Sequence, residues 1–516
     1  MIRTRRKAEF IHEDNTMQLE EATISELQVE MTQGNVTARQ LTQGYIERIQ
    51  SLDQKGPTLR SVVEINPDAL EIAQALDQER AEKGPRSPLH GIPILLKENI
   101  ATLDRMETTA GSLALLGARP PRDAFVARKL REAGAVILGK TNLSEWANFR
   151  SENSSSGWSG RGGQTRNPYV LDRTPCGSSS GSAVAVAANL VAAALGTETD
   201  GSILCPSSIN GVVGIKPTVG LTSRAGVIPI AHSQDSVGPF ARTVTDAAIV
   251  LGAISGVDVH DPMTQHSVDA SFNDYMQFLN VDGLKGARIG VCRQVYFGYS
   301  TKTDAVINAG IERMAVLGAT IIDHADIPTA LQMSSSQSEF HVLLYEFKAH
   351  LNAYLEELNE SSVRSLADII AFNDAHIDEE QPYFGQEILL QAQETTNLND
   401  PLYLNALAEN HRLARQEGID AVMDEYKLDA LVMPTRGPAW CIDWLNGDHD
   451  IGGSAQAAAL AGYPAISVPA GFVFGLPVGI TFMGRAFSEP TLIKLAYAFE
   501  QATKQRRPPQ FLPTLK

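Results

Sequence analysis

Two loops rich in serine and glycine lie close together in the sequence, and each could present a nucleophile. The first covers residues 176–182 and reads Cys-Gly-Ser-Ser-Ser-Gly-Ser, and the second covers residues 196–202 and reads Gly-Thr-Glu-Thr-Asp-Gly-Ser. Loops with several glycines mark places where the backbone approaches a ligand or another segment closely. Because packing alone does not explain two such loops on either side of one short apolar stretch, we predict a functional site here.

Two familiar kinds of site are compatible with these loops. A glycine-rich loop that leads into a helix N-terminus can bind phosphate, but this one lacks the Gly-Lys-Ser/Thr ending of a P-loop. Residues 177–181 also fit Gly-x-Ser-x-Gly, the pattern of a nucleophile elbow, with Ser179 at its centre. An elbow follows a strand, whereas residues 171–176 are poor strand formers, and the pattern selects neither His90 nor His232 as a base.

A third possibility is a relay in which a lysine replaces the histidine base. A serine that attacks an amide must lose its proton, and the departing nitrogen must gain one. A lysine can accept and return that proton if it is neutral, and an apolar setting without a carboxylate partner lowers its pKa. Lys97 ends the apolar run Gly-Ile-Pro-Ile-Leu-Leu-Lys. It is either such a base or a strand-end lysine whose amine reaches solvent.

Taken together, the motifs resemble those of the amidase signature family. The matching segments are Gly-Ile-Pro-x-x-x-Lys at 91–97, Gly-Ser-Ser-Ser-Gly-Ser at 177–182, Gly-Thr-Glu-Thr-Asp-Gly-Ser-Ile at 196–203 and Gly-Ile-Lys-Pro-Thr at 214–218. The resemblance covers most of the chain. It implies that Lys97 is the base, that Ser178 follows a cis peptide bond and bridges the relay, and that Ser202 is the nucleophile.

The resemblance also implies an oxyanion site and a reaction without a metal or a cofactor. Backbone N–H groups of the turn 199–202 would stabilise the negative charge that develops on the substrate oxygen. Thr199, Asp200 and Gly201 are therefore the expected oxyanion and substrate-binding residues. No obligate protein partner is expected.

Two positions depart from the commonest family pattern and indicate a subgroup. Glu198 stands where an aspartate is usual, and Asp200 stands where a glycine is usual. These variants are similar to the peptide amidases, which remove the C-terminal amide from peptides. The same similarity extends to Cys205-Pro206 and to residues 343–348, 384–387 and 462–464. Asp200 would either face the substrate and repel the carboxylate of the acid product or point away and accept hydrogen bonds from nearby N–H groups.

Other functions remain open at this point. The family includes the catalytic subunit of tRNA-dependent amidotransferases, which works in a complex with tRNA, and general hydrolases of aliphatic or aryl amides. A non-enzymatic module that binds anions is a further alternative. The formal net charge of −17 disfavours binding to nucleic acid or to an anionic membrane surface.

The elements that must position the motifs alternate between strands and helices. Apolar strand candidates lie at 135–138, 212–215, 288–291, 319–322, 431–433, 465–468 and 478–480. Helices are predicted from Thr37, as the cap, through Leu52, near 125–133, at 183–195 and near 303–317. This alternation predicts an α/β protein. The family resemblance implies one large domain over residues 1–516, with a mixed central β-sheet surrounded by helices.

One region departs from this alternation. Residues from about 335 to 425 show helical spacing, at 365–372 and 402–412 for example, and contain no clear strand. The region is either an additional helical layer or a cap that shapes access to the site, and the two descriptions are compatible.

Cysteine usage and the N-terminus bear on location. Cys176, Cys205, Cys292 and Cys441 form no CxxC pair and no metal-ligand spacing, which predicts free thiols in a reducing compartment. Residues 1–10 are basic, but charged residues follow where a signal peptide would be apolar. We therefore predict a cytoplasmic protein without a signal peptide or a membrane span.

Overall fold

The strands of the computed structural model, which describes residues 19–515, form one large sheet and a short hairpin. They are β1 Val62–Ile65, β2 Pro93–Lys97, β3 Val136–Thr141, β4 Trp158–Ser159, β5 Gly163–Gln164, β6 Ala193–Glu198, β7 Val213–Lys216, β8 Ser236–Ala241, β9 Arg288–Val291, β10 Thr320–Ile322, β11 Ala430–Pro434, β12 Ala465–Val473 and β13 Leu476–Met483. The hairpin pairs β4 with β5, and the other eleven strands follow the order β1-β3-β2-β6-β8-β7-β12-β13-β11-β9-β10. β2 is parallel to β3 and β6, whereas β6 is antiparallel to β8. The sheet is therefore mixed.

Helices surround this sheet and bury its apolar faces. They are α1 Ile24–Thr32, α2 Ala38–Arg48, α3 Ala69–Lys83, α4 Phe125–Glu132, α5 Ser180–Ala187, α6 Leu204–Ile209, α7 Val244–Ile254, α8 Thr301–Val316, α9 Ala330–Ser335, α10 Ser338–Glu357, α11 Leu366–Ala375, α12 Ile377–Glu380, α13 Glu387–Glu394, α14 Pro401–His411, α15 Asp420–Tyr426, α16 Gln456–Ala461 and α17 Glu489–Thr503. The predicted α/β class with a mixed central sheet is confirmed. Thr37 caps α2 as predicted, but a π-helical turn continues the chain from Ile49.

The stretch between the two serine-glycine loops was predicted incorrectly. The structure divides the predicted helix at 183–195 into α5, which ends at Ala187, and β6, which begins at Ala193. Both segments are buried, and the stretch is rich in alanine. Such a run has no polar side to reveal its period, so sequence spacing cannot distinguish a buried helix from a central strand.

The helix-rich region forms a layer that shares an apolar core with neighbouring segments of the chain. Residues 338–426, which we call the helical layer, contain α10–α15 and no strand. Phe347, Leu351, Leu366 and Leu389 of this layer are completely buried in one cluster. The predicted helical layer is confirmed, whereas its role as a cap stays a prediction.

The prediction of free thiols is wrong for two of the four cysteines. Cys176 and Cys205 form a disulfide with a Cα–Cα distance of 6.1 Å, whereas Cys292 and Cys441 are free. The two partners are 29 residues apart in the sequence, so no short motif announces the pair. Disulfides persist in oxidising compartments, which weighs against the predicted cytoplasmic location.

Two further predictions concern membranes and export. Among the described residues, no helix is long and apolar enough to cross a bilayer. The interpretation of residues 1–10 as a segment other than a signal peptide lies outside the described residues.

Candidate active site

The edge of the central sheet brings the predicted base next to the second serine-glycine loop. β2 and β6 are neighbouring parallel strands, with Leu96 opposite Leu195. Parallel strands end at the same edge of a sheet. Lys97, the last residue of β2, therefore lies beside Thr197 near the end of β6.

Lys97 is completely buried, and its amine contacts hydroxyl groups. Nζ donates to Ser178 Oγ over 2.7 Å and to Thr197 Oγ1 over 2.8 Å. Burial lowers the pKa of Lys97 to about 7, although the negative charges of Asp235 and Glu198 act in the opposite direction. The amine can therefore be neutral near pH 7, and the alternative of a solvent-exposed strand-end lysine is excluded.

The first loop presents Ser178 to this amine. The peptide bond between Gly177 and Ser178 is cis, as the family resemblance implies. A side chain at Gly177 would collide with Ser144 Oγ, so glycine is required at this position. The carbonyl oxygen of Ser178 accepts a hydrogen bond from the backbone N–H of Ser144 over 3.0 Å. These contacts hold the loop against the neighbouring segment.

The second loop turns sharply after β6 and presents Ser202. Gly201 has a φ of +76°, which glycine adopts without strain. The carboxylate of Glu198 accepts hydrogen bonds from the backbone N–H groups of Ile203 at 2.6 Å and Leu204 at 2.9 Å. Glu198 therefore closes the turn that carries Ser202. This role was missed from the sequence, where Glu198 was noticed only as a departure from the family pattern.

The side chain of Ser179, the alternative nucleophile, is hydrogen-bonded in the protein interior. Its hydroxyl donates to the carbonyl oxygen of Thr197 over 3.0 Å and accepts from the N–H of the same residue over 3.2 Å. Ser179 is fully buried. Neither histidine considered from the sequence joins it, because His90 Nε2 lies 2.9 Å from the Leu76 carbonyl oxygen and His232 stacks on His350. The geometry does not support an elbow at Ser179.

Ser178 and Ser202, by contrast, both line one cleft, which has a volume of about 310 Å³. One side of this cleft, which we call the relay wall, consists of Gly177, Ser178 and residues 199–202. Another part of the lining, which we call the outer wall, includes Leu343, Arg436, Trp440, Asp448 and Asp450. Within residues 19–515, no hydrogen bond joins the hydroxyls of Ser178 and Ser202 directly. Catalytic hydrogen bonds often tighten only when the substrate is bound.

The outer wall is a connected set of side chains that sequence reasoning missed. The Arg436 guanidinium donates to Asp450 and lies 5.9 Å from the centre of the Trp440 ring. Trp440 Nε1 donates to Asp448 Oδ1 over 3.1 Å. These residues come from an irregular segment after β11 and form no recognisable motif. Leu343 on α10 adds a contribution from the helical layer, so that layer borders the cleft.

Asp200 belongs to the relay wall and lies close enough to Arg436 of the outer wall to interact with its charge. Its side chain is exposed to the cleft, but the protein around it and the nearby carboxyl of Glu339 raise the pKa of Asp200 well above its usual range, while Arg436 opposes that shift. Glu339 of α10 accepts hydrogen bonds from Gln234 and Gln456, each over 3.0 Å. No N–H group of the described residues donates to the Asp200 carboxylate. The alternative in which Asp200 only tightens its own turn is therefore not observed.

The disulfide is part of the same site. Cys176 precedes Ser178 by two residues, Cys205 follows Ser202 by three, and both cysteines line the cleft. The covalent bond therefore ties the two serine loops together at the cleft. As for metals, the described part of the chain contains no group of three or more His, Cys, Asp or Glu side chains arranged to hold an ion.

Comparison with known proteins gives consistent matches along the chain. The family model described as Amidase matches residues 40–493. A probable amidase of Arabidopsis thaliana is 46% identical over 98% of this chain and 94% of its own length. The crystal structure of native peptide amidase from Stenotrophomonas maltophilia is 52% identical, with a TM-score of 0.91 over 95% of this chain and 99% of that one. A glutamyl-tRNA(Gln) amidotransferase subunit of Moorella thermoacetica is 35% identical over 95% of this chain and 98% of its own length.

Proposed function

The chain belongs to the amidase family, and from this premise we propose that it is a serine hydrolase that removes ammonia from the C-terminal carboxamide of peptides. Membership of this family supports the type of reaction, which is hydrolysis of the carbon–nitrogen bond of an amide. The observation that carries the proposed mechanism is the buried Lys97 amine, 2.7 Å from Ser178 Oγ, at a cleft that Ser202 also lines. We assign the base to Lys97, the bridge to Ser178 and the nucleophile to Ser202.

The relay moves one proton toward Lys97 during attack. Ser202 Oγ adds to the carboxamide carbon while its proton passes to Ser178 Oγ, and the Ser178 proton passes to the neutral amine of Lys97. The resulting ammonium returns a proton along the same path to the departing nitrogen, which leaves as ammonia. Water then repeats the sequence on the acyl-enzyme and releases the acid.

The oxyanion is assigned to the turn that follows β6. When Ser202 attacks, the carbonyl oxygen of the substrate becomes negative, and fixed N–H donors lower the energy of that state. Residues 199–202 supply such donors beside the nucleophile. Glu198 supports this arrangement because its carboxylate already satisfies the N–H groups of Ile203 and Leu204. These bonds hold in place the turn that carries Ser202.

Similarity to peptide amidase and the character of the cleft support a peptide amide as substrate. The similarity spans nearly the whole chain, and the residues Glu198 and Asp200 indicate the same subgroup from the sequence pattern. The relay wall is backed by buried protein, whereas the outer wall borders solvent. A terminal carboxamide can reach Ser202 from the solvent side, and the rest of a peptide would lie toward Arg436 and Trp440.

An amidotransferase subunit is the second candidate, because relatives with that description match over nearly the whole chain. It would take ammonia from glutamine and would depend on partner proteins and tRNA. The net charge of −17 opposes an RNA-facing surface. We propose that the chain acts alone, on a small amide or a peptide amide.

A substrate panel separates these functions. The purified chain is incubated with peptide amides, the matching free peptides, glutamine and fatty amides, and ammonia release is measured. We expect ammonia from peptide amides alone, with a mass gain of one dalton and no internal cleavage. Release from glutamine at the highest rate would favour the amidotransferase function, internal cleavage would overturn the terminal specificity, and no release from any amide would overturn the enzymatic proposal.

A further inference from the structure

A small polar chamber adjoins Thr197, the residue whose hydroxyl accepts a hydrogen bond from Lys97. Its volume is about 10 Å³, and its lining includes Asn99, Thr197, Thr199 and Asp235. A chamber of this volume holds about one water molecule, provided that several polar partners are present. Ile230 and Thr199 line both the chamber and the cleft. The chamber therefore lies next to the cleft and to the predicted base.

Asn99 contributes a buried acceptor without a protein partner. Its side chain is 2% exposed, and Nδ2 donates to Thr197 Oγ1 over 3.0 Å. The Ile228 carbonyl oxygen lies 3.5 Å from the same nitrogen, on the side where a donor rather than an acceptor is favoured. Oδ1 of Asn99 has no hydrogen-bond partner among residues 19–515. Because an unsatisfied buried acceptor is destabilising, a ligand that donates to it is favoured.

Thr197 contributes a donor that also lacks a protein partner. Its hydroxyl oxygen accepts from Lys97 Nζ at 2.8 Å and from Asn99 Nδ2 at 3.0 Å. A hydroxyl has two acceptor positions and one proton to donate, so both acceptor positions are occupied. In the part of the chain that the structure describes, no hydrogen bond uses Thr197 Oγ1 as the donor. Its proton is therefore available to a ligand in the chamber.

Asp235 also lines the chamber and can accept a further hydrogen bond. Oδ2 accepts from the N–H groups of Ile230 and Ala231, each at 3.0 Å, and Oδ1 accepts from the Thr199 hydroxyl. A carboxylate offers about four acceptor positions. Burial raises the pKa of Asp235 to about 6, although the hydrogen bonds that its carboxylate accepts from Thr199, Ala231 and Ile230 act in the opposite direction.

We propose that Asn99, Thr197 and Asp235 hold one water molecule in this chamber, and that the water joins the Lys97 amine to the Asp235 carboxylate. The water accepts the Thr197 hydroxyl proton and donates to Asn99 Oδ1 and to Asp235 Oδ1. Three hydrogen bonds are the usual number for a buried water. Asp235 is then a positioning residue that acts through Thr197 on the charge of Lys97. The inference rests on the proposed role of Lys97 as the base.

The path conserves protons and bonds. When Lys97 carries a proton, its ammonium gives one to Thr197 Oγ1, Thr197 gives its own to the water, and the water gives one to Asp235. The threonine and the water are regenerated, so the net change is neutral Lys97 and a protonated Asp235. This exchange leaves Lys97 neutral by way of Thr197. The contact between the Lys97 amine and Ser178 stays available for the proton of the reaction.

A crystal structure of the unmodified protein tests the water site without measuring activity. At a resolution that resolves ordered waters, we expect one density peak within about 3.2 Å of both Asn99 Oδ1 and Thr197 Oγ1, since that is the hydrogen-bond range. Two results would overturn the proposal. One is a direct hydrogen bond from the Thr197 hydroxyl to Asn99 Oδ1, and the other is an empty chamber in well-defined density. The result is independent of whether any amide is hydrolysed.

The pH dependence of kcat/KM for a peptide amide tests the coupling. Asp235 and Glu198 are the carboxylates that act on Lys97. Asp235→Asn removes one negative charge that favours the ammonium, so the acidic limb of the profile should move to lower pH by about one unit, as expected for the loss of a nearby opposite charge. Asp246→Asn is the matched control, because Asp246 is also buried and also has a pKa of about 6. Its carboxylate accepts from the N–H of Ile24, and Asp246 is not among the groups that act on Lys97.

Two outcomes would contradict the coupling. An unchanged acidic limb in Asp235→Asn would remove Asp235 from the control of Lys97, and an equal shift in Asp246→Asn would show a general effect of buried charge. If Asp235→Asn does not fold, the crystal structure of the unmodified protein still decides the water site. If no substrate is hydrolysed by the unmodified protein, the proposed function fails, whereas the water site is judged by its density.

Discussion

The two walls of the cleft are built in different ways. The relay wall comes from strand ends and tight turns, where buried groups satisfy one another, as Glu198 does for the turn of Ser202 and Ser179 does for Thr197. The outer wall comes from an irregular segment and the helical layer, and its Arg436 and Asp450 are paired with each other beside the cleft. A site on rigid elements keeps catalytic geometry precise, while loops around it can vary. We infer that the relay wall sets the chemistry and that the outer wall selects the substrate.

Removal of the base should give the largest effect on the relay wall. Lys97→Met preserves most of the length of the side chain but removes the proton acceptor, so kcat should fall by about 10³-fold, within the range for general-base catalysis. The fold should be retained, because a neutral apolar chain suits the buried site. Steady-state kinetics on a peptide amide, with circular dichroism as a check of folding, measures this change.

Lys140→Met is the matched control for that variant. Lys140 is also fully buried, on the adjacent strand β3, but it donates to the Ile100 carbonyl oxygen and to Thr108 Oγ1 rather than to a serine. Its replacement should lower stability by about 1–3 kcal/mol, because buried acceptors lose their donor. The rate per folded molecule should change little. Equal losses of rate in both variants would mean that the buried lysines behind the relay wall serve only to stabilise the structure.

The pH profile should follow the charge on Lys97. The amine accepts a proton only when it is neutral, and burial lowers its pKa to about 7. Below that pH the ammonium predominates, so kcat/KM should fall about tenfold for each further pH unit, and above it the rate should reach a plateau. The measurement is kcat/KM from about pH 5 to about pH 9, on either side of that pKa, with a peptide amide that does not titrate in the range. A rate that stays constant across the range would rule out a titrating base in this wall.

Loss of the disulfide, which supports the relay wall, should lower kcat less than loss of the base does. The double variant Cys176→Ser with Cys205→Ser opens a loop of 29 residues, and loop-closure entropy predicts a loss of about 3–4 kcal/mol in the free energy of unfolding. Because the loop contains both serines, kcat should fall several-fold while KM changes little. Denaturant unfolding and kinetics under oxidising conditions test both parts. If the unfolding curve and kcat both match those of the unmodified protein, the disulfide does not support this wall.

The smallest effect is expected at Asp200, where the two walls meet. Burial and Glu339 raise the pKa of Asp200, so its carboxyl repels the acid product only when pH is high enough to ionise it. Asp200→Asn should therefore strengthen product inhibition by a few-fold at high pH and change it little at low pH. Inhibition constants for the free-acid product at the two extremes measure this difference. The repulsion is refuted if product inhibition is unaffected at high pH.

Local sequence predicted the relay wall well because its geometry follows from short motifs. An apolar run that ends in Lys97 predicts a buried strand, and parallel strands must end at one edge. The resemblance to the amidase signature family also implied the cis peptide before Ser178, which is present. The assignment of the catalytic roles to Lys97, Ser178 and Ser202 remains a prediction, but the structure places the first two in direct contact.

The failures arose where distant contacts decide the structure. The alanine-rich stretch at 183–195 offered no polar side, so the change from helix to strand at this point was invisible. Cys176 and Cys205 pair only because the fold brings two loops together. No sequence motif marks Arg436 and Trp440, because the tertiary fold places the segment after β11 beside the cleft.

Labelling of the nucleophile is the most direct test of the account. The protein is treated with a serine-directed phosphonate, digested, and analysed by mass spectrometry to locate the adduct. We predict one adduct on Ser202, which persists in Ser179→Ala and disappears in Ser202→Ala together with activity. An adduct on Ser179, or full labelling and activity in Ser202→Ala, would contradict the assignment of the relay wall.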